Sequence, residues 1–234
     1  MTYEIIYPSQ PVDVFPLGPG SIDVEFDPAF NARDDYDDSI RVEIEKEMAE
    51  LSQIEGKKVV SHHAHNEHRY AGALVERALS GEKVVVISDA GTPCVSDPGF
   101  LVAREAVRAG LEPVCVPGAS ALTFAAMASG LPVDRFTFQG FPPNKKGARH
   151  TLLETIGADD KTHFLYESPK RIKRLLEEVA EVIGPETAVA VVREATKLHE
   201  EILRGGVKEV LERIGERNLK GEIVLGINPR YTFA

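Results

Sequence analysis

KVVVISDAGTPCVSDPG occupies residues 83–99. Its first six residues are an apolar, β-branched run of the length and type of a buried strand, and the remainder is a turn-rich mixture of Gly, Pro, Asp, Ser and Thr. A buried strand that runs straight into such a loop is the opening of an α/β unit, and in open α/β sheets ligands bind beyond the carboxyl ends of the strands. Asp89 leaves the strand and enters a loop with Ala90, Gly91, Thr92, Pro93 and Val95. Glycine there lets backbone approach a ligand closely, and a carboxylate can accept hydrogen bonds from hydroxyls or an amine. Asp89 and Asp97 are equally explained as turn caps, so local chemistry leaves both readings open.

Working outward, the same alternation of short strands and helices extends from about residue 57 to the end, the pattern of α/β units on a largely parallel sheet. KKVVSHH (57–63) reads as a strand. Asn66 can cap a helix through Ser80 that stops at Gly81. A helix from Phe100 to Ala109 ends at Gly110, EPVCV (112–116) reads as a strand, and PGASALTFAAMASG (117–130) as a small-residue helix. RFTFQGF (135–141), THFLYE (162–167), TAVAVVRE (187–194) and GEIVLGI (221–227) read as strands, with helices from Pro169 to Ile183 and over 207–215. PPNKKGAR reads as an exposed basic loop. Leu131 and Pro132 break the chain, which sets the expected domains at 1–131 and 132–234.

Residues 1–56 lack this rhythm. YEIIY and VDVF each suit a short strand, but Pro8, Pro11, Pro16 and Pro19 interrupt them. NARDDYDDS favours loop or disorder. Ile40, Ile44, Met48, Leu51 and Ile54 recur at helical spacing, which predicts an amphipathic helix over 39–55.

Composition narrows the function classes. The chain has 234 residues, 43% of them hydrophobic and 27% charged, the proportions of a soluble globular enzyme rather than a fibrous or low-complexity chain. Cys94 and Cys115 are its only cysteines and lack metal-ligand spacing, which points to a reducing, cytoplasmic setting. No apolar run reaches the ~20 residues of a membrane span, and no signal-peptide profile opens the chain. The net charge of −10 is unevenly placed: residues 1–55 hold 3 Lys and Arg against 14 Asp and Glu, leaving 24 basic and 23 acidic side chains in the other 179. The acidity is local, so composition does not exclude an RNA partner.

Three further stretches carry chemistry. In CVPGASALTFAAMASG a Pro-Gly turn feeds a helix whose first N–H groups, at Ser120 and Ala121, can face an anion or ligand; tight helix–sheet packing also selects such small residues. FPPNKKGAR and YESPKRIKR cluster Lys145, Lys146, Arg149, Lys170 and Arg171 with Lys173 and Arg174. Clustered cations suit phosphate groups, where the plain alternative is a solvated helix face. VVREATKLHEE crowds Arg193, Glu194, Lys197, His199 and Glu200 at one rim, which a local ion-pair network also explains. His62, His63, His65 and His68 have no cysteine or carboxylate partner at structural-zinc spacing, so no metal is expected. No Ser-His-Asp set, P-loop or GxGxxG fingerprint can be assembled.

Taken in order, SHHAHNE, VVVISDAGTPCVSDPG, VPGASALTFAAMASGLP, FTFQGFPPNKKGAR, FLYESPKR, VVREATKLHEEILRG and GEIVLGI resemble the bacterial 16S ribosomal RNA cytidine 2′-O-methyltransferases, a branch of the tetrapyrrole (corrin/porphyrin) methylase superfamily. The resemblance spans roughly residues 59–228. It implies an α/β protein of two α/β domains of the tetrapyrrole methylase type, with S-adenosyl-L-methionine in the cleft between them. Asp89, Ala90, Gly91, Thr92, Pro93, Val95, Ser120 and Ala121 would line the methyl-donor pocket from the first domain, and Tyr166, Glu167 and Ala195 from the second. Lys145, Lys146 and Arg149, with Lys170 and Arg171, would face 16S rRNA or the small ribosomal subunit. A homodimer is implied. Glu167, Glu194 and Lys197 stand as candidate bases, with no choice among them. Residues 1–56 depart from the family, whose opening strand, TPIGN loop and AEDTR strand end are absent. A tetrapyrrole methyltransferase and a non-catalytic RNA- or partner-binding relative are the alternatives.

Overall fold

The computed structural model describes residues 2–7, 58–62, 67–88, 91–115 and 118–233. The helix expected over 39–55 and the strand expected at VDVF lie outside them. The chain divides into two compact units, Met1–Ala119 and Ser120–Ala234.

The first unit contains β1 (Thr2–Tyr7), β2 (Lys58–His62), α1 (Glu67–Leu79), β3 (Lys83–Ser88) and α2 (Phe100–Arg108). Its sheet order is β2-β1-β3, and β1 runs antiparallel to both neighbours. Thr2 pairs with His62 on one side and Ser88 on the other, so β2 and β3 end at the same sheet edge. The helices pack together through Ala71, Leu74, Leu101 and Val102, with Val84 and Val86 of β3 against them. Gly81 and Gly110 terminate the helices at φ 95° and 79°, left-handed values that a Cβ disfavours. EPVC, the described part of EPVCV, is not a strand. Residues 111–115 have no regular structure, and Val114 is 90% exposed; an apolar run with Pro113 inside it has one fewer N–H for a ladder.

The second unit contains α3 (Ala121–Ala128), β4 (Phe136–Gly140), α4 (Lys146–Ala158), β5 (Thr162–Glu167), α5 (Ile172–Val182), β6 (Ala188–Arg193), β7 (Glu201–Gly206), α6 (Val207–Ile214) and β8 (Ile223–Asn228). The sheet order is β4-β5-β8-β6-β7. Among these described strands only the β4–β5 pair is parallel; β5–β8, β8–β6 and β6–β7 are antiparallel. The expectation of a largely parallel sheet is thereby corrected. The apolar runs of β5, β6 and β8 report burial on both faces, and helices cover this mixed sheet on both sides.

Alternation along the strands separates the two faces. Leu165, Val189, Val191, Leu225 and Ile227 point into the main core with Leu153, Ile156, Leu175, Val179, Val210 and Ile214 of α4, α5 and α6. Phe164, Val192 and Val224 point the other way, onto Ala125 and Ala126 of α3. Leu131 meets Ala188 and Ala190 on that same second face. The segment from Ser120 to Leu131 therefore packs on the second sheet, and the unit boundary falls before it, at Ala119–Ser120. Gly226 explains how the connection after α3 lies so close: a Cβ there would stand 2.9 Å from both Leu131 Cδ1 and Phe164 Cε1.

His163 sits inside this sheet, 2% exposed. Its Nδ1 is 3.0 Å from Gln139 Nε2, and its Nε2 is 3.2 Å from Asp159 Oδ2. Burial holds the imidazole's pKa below the usual 6.5, against the opposing pull of Asp159 and with Lys161 adding to the depression. The native state thus favours neutral His163, and the unfolded chain binds the proton more readily. Stability from this group is fully present above pH 6.5 and is lost as pH falls from there through the lowered native value, at no more than about 1.4 kcal/mol per pH unit for one proton. Asp159, held at about 2 chiefly by the Asp160 amide, and Glu178, lowered chiefly by Arg149, add losses only further into the acid range. Urea denaturation of wild type and His163→Gln between pH 7.5 and 5 checks this: a decline in wild type that the variant lacks is expected, and parallel curves would contradict it.

Candidate functional site

In the first unit the loop after β3 is locked from several sides. Ser88 Oγ donates to Asp97 Oδ2 at 2.8 Å, and the Cys94 amide donates to the Pro98 carbonyl at 3.3 Å. Cys94 and Ser96 adopt φ of 73° and 63°, backbone values that cost a non-glycine residue energy and occur preferentially at functional loops. Gly99 must be glycine, because φ is 129° and a Cβ would stand 2.8 Å from Cys94 Sγ. Glu67 holds the far end: its Oε1 accepts the Gly99 and Leu101 amides, both at 2.8 Å. A carboxylate borrowed from α1 thus caps the N-terminus of α2, where the helix dipole favours negative charge. The sequence pattern alone did not expose this role, since Glu67 and Gly99 are 32 residues apart.

Gly91, Thr92, Pro93 and Val95 all lie on that loop, while Asp89 and Ala90 fall outside the described residues. The loop meets the next connection directly. Thr92 Oγ1 donates to the Ala119 carbonyl at 3.0 Å. A Cβ on Gly91 would come within 3.2 Å of that same oxygen, and one on Gly118 within 3.4 Å of Thr92 Oγ1. Two glycine-bearing turns from separate motifs are brought into contact.

In the second unit the structure gathers three expected residues from three motifs. Ala121 at the start of α3, Tyr166 near the end of β5 and Ala195 after β6 pack around one apolar cluster with Phe124 and Phe138. All three are half-buried. Tyr166 is fixed edge-on by Phe138 at 4.8 Å and Phe141 at 5.7 Å between centroids. Ser120 precedes α3 with extended backbone, φ −143°, and its side chain makes no cap hydrogen bond. Ser120 and Ala121, expected on the first domain, belong to the second unit.

Glu167 is 4% exposed and clamped. Its Oε1 accepts the Ser168 amide at 2.7 Å and the Arg171 guanidinium, Nε at 2.7 Å and Nη2 at 2.6 Å. The turn between β6 and β7 is equally tied. Glu194 and Thr196 have φ of 50° and 65°; Glu194 Oε1 accepts the Glu222 amide at 2.7 Å and Lys197 Nζ at 3.3 Å. The Glu194 side chain lies across Gly221, where φ is 88° and a Cβ would overlap it. Burial works to lower the Lys197 pKa, but the carboxylates of Glu222 and Glu194 outweigh it and hold the ammonium above its ordinary value. Arg193 pairs with Glu201, and Glu200 accepts the Thr196 amide. The ion-pair network is present, and β7, which the sequence reading missed, supplies part of it. EILRGG concealed a strand because an edge position tolerates its charges and glycines.

The basic residues separate into two kinds. Lys145, Lys146 and Lys170 are exposed. Lys146 opens α4, so the expected basic loop PPNKKGAR is part loop and part helix. Arg149 is 3% exposed, and its place in an RNA-facing loop is corrected. Nε and Nη2 donate to the two oxygens of Glu178 at 2.5 and 2.6 Å, and Nη1 to the Pro143 and Asn144 carbonyls at 3.0 and 2.9 Å. A helix turn carries the guanidinium inward, where charge must be paired. Arg171, partly exposed, joins Glu167 to the Asn144 side chain. Among the described residues no group of three or more His, Cys, Asp or Glu could hold a metal, and no helix is long and apolar enough to cross a membrane.

Known proteins resemble the chain in sequence and fold. The family described as Tetrapyrrole (Corrin/Porphyrin) Methylases matches residues 27–211. The chain is 39% identical over 180 residues to the ribosomal RNA small subunit methyltransferase I of Hydrogenobaculum sp., across 76% of this chain and 77% of that protein. It is 42% identical to the protein of that name from Xylella fastidiosa, across 70% of this chain and 60% of the relative. For the Haemophilus influenzae protein the values are 44%, 70% and 58%. The chain thus spans about 60% of the length of the last two. The crystal structure of the methyltransferase CobJ shares the fold, with a TM-score of 0.54 at 22% identity over 70% of this chain and 72% of that one.

Proposed function

The chain belongs to the tetrapyrrole (corrin/porphyrin) methylase family, and from that premise we propose that it is an S-adenosyl-L-methionine-dependent methyltransferase of small-subunit ribosomal RNA, acting on the ribose 2′-OH of a cytidine. The observation that carries the reading is the convergence of Ala121, Tyr166 and Ala195 on one half-buried apolar surface, in a chain about 40% identical to proteins named ribosomal RNA small subunit methyltransferase I.

The residues present suit the methyl donor. Small side chains beside an aromatic ring accommodate a flat aromatic group such as adenine. The Gly91 and Gly118 turns pack on each other within the first unit, and Asp89 remains the expected partner for the donor's hydroxyls or amine. When bound, the donor supplies a sulfonium methyl group that is already a strong electrophile. The protein's task is then to hold a weakly nucleophilic 2′-OH in line with it, and positioning alone lowers such barriers substantially. Glu167 is engaged by Arg171, Glu194 by Lys197, and Lys197 is held protonated. These contacts single out none of the three candidate bases, so no catalytic base is assigned and the proposal rests on positioning.

Lys145, Lys146 and Lys170 contact RNA phosphates in this reading, whereas Arg149 and Arg171 shape the surface behind them. An rRNA substrate places the protein in the cytoplasm with the ribosomes. The assembly is a homodimer, which light scattering on the purified protein reads directly. One observation favours a second reading: the absence of the TPIGN loop in residues 1–56 suits a non-catalytic RNA-binding relative. Methyl transfer from labelled S-adenosylmethionine to small ribosomal subunits and to protein-free 16S rRNA decides between them. Label in ribose-methylated cytidine is expected. RNA binding without transfer would replace the proposal with the second reading, and transfer to a tetrapyrrole instead would overturn both.

A further inference from the structure

Phe141 is 56% exposed at the margin of the Phe138–Tyr166 aromatic cluster. Its position is nevertheless fixed. Gly140 turns the chain at φ 65°, and the β4–β5 register shifts between Phe138 and Gly140, an irregularity that re-aims the side chains following it. Pro142 is buried and Pro143 stiffens the next step. The carbonyls of Pro143 and Asn144 are both held by Arg149 Nη1, while the Asn144 side chain is held by Arg171. Those two arginines are anchored in turn by Glu178 and Glu167. Tyr166 braces the Phe141 ring edge-on at 67°. Lys145 and Lys146 come within five residues of the ring and are exposed; neither forms an ion pair among the described residues.

An exposed aromatic ring, braced edge-on and followed by exposed lysines on a loop tied down by hydrogen bonds, is an arrangement by which proteins take single-stranded RNA: bases stack on the ring while cations track the phosphates. Because the loop is already ordered, binding sacrifices little conformational freedom. We propose that Phe141 is a nucleobase-stacking residue, seated on a loop that Arg149 and Arg171 hold in shape, and that it selects unpaired RNA. The inference rests on the rRNA reading above and adds to it a residue and a preference for unstacked bases.

Fluorescence anisotropy on the full chain, with a labelled mixed-sequence single-stranded oligoribonucleotide and the matching duplex, tests it. Phe141→Ala should weaken single-strand binding about tenfold with no change in salt dependence. Phe141→Trp should restore it, and duplex binding should not respond to either. Lys145→Ala with Lys146→Ala should reduce the salt slope instead, by roughly one to two units. Affinity for S-adenosylmethionine, titrated separately, should be the same in wild type and Phe141→Ala. Wild-type RNA affinity in Phe141→Ala would overturn the inference alone. So would a parallel loss of methyl-donor affinity, which would make the ring a wall of the donor pocket acting through Tyr166. Failure of the wild-type chain to bind either RNA would overturn the rRNA reading itself, and this inference with it.

Discussion

Arg149→Ala should lower the free energy of unfolding by about 3–5 kcal/mol, the usual cost of stranding one member of a buried ion pair. Glu178 would be left 5% exposed with its guanidinium partner removed, and the Pro143 and Asn144 carbonyls would each lose a donor. For a chain of this size each kcal/mol corresponds to about 2–4 °C in melting temperature. Arg149→Met combined with Glu178→Leu should recover most of the loss, since a well-packed apolar pair often equals a buried ionic one. Thermal and urea denaturation of the three proteins make the comparison. An Arg149→Ala variant within about 1 kcal/mol of wild type, the range of ordinary exposed pairs, would show that the pair is not the anchor its two short hydrogen bonds describe, and the loop it shapes would need another support.

Ser120→Trp carries the largest expected effect on ligand binding. Ser120 precedes α3 with extended backbone, and its hydroxyl caps nothing there, so the helix loses little when the side chain changes. It adjoins Ala121 on the apolar surface shared with Tyr166 and Ala195. In the proposed site an indole there would occupy the space of the donor. Affinity for S-adenosylmethionine should fall roughly 100-fold or more, about 2.7 kcal/mol, in a variant that circular dichroism shows to be folded. Donor affinity within about threefold of wild type, less than 1.4 kcal/mol and so under a tenfold change, would in a folded variant move the pocket away from α3.

Much of the fold was legible because its signals are local. KVVVIS and THFLYE are strands over the residues expected, and Gly81, Gly110 and Gly130 end their helices at positive φ. Strand direction was not legible. Apolar runs such as those of β6 and β8 record burial on two faces, and antiparallel pairing between them is decided by connections the periodicity does not contain. EPVCV misled by composition alone, and EILRGG hid as an edge strand. The site divides in the same way. Ala121, Tyr166 and Ala195 were named from the resemblance and do come together, but which way each basic residue faces was not readable. Lys146 and Arg149 are three residues apart and so on one side of α4, yet Lys146 stays exposed at its first turn while Arg149 is covered by its pairing with Glu178, a partner 29 residues further along. The clamp of Arg171 on Glu167 and Asn144 and the cap of Glu67 on α2 are likewise pairings between elements, invisible until those elements are packed.

Isothermal titration of the purified chain with S-adenosylmethionine tests the central claim most directly. The account predicts saturable binding at one site per chain, abolished or severely weakened in Ser120→Trp and weakened in Asp89→Ala. A folded, monodisperse sample that takes up no S-adenosylmethionine would contradict it and leave the chain a relative that has kept the family's fold without its methyl donor.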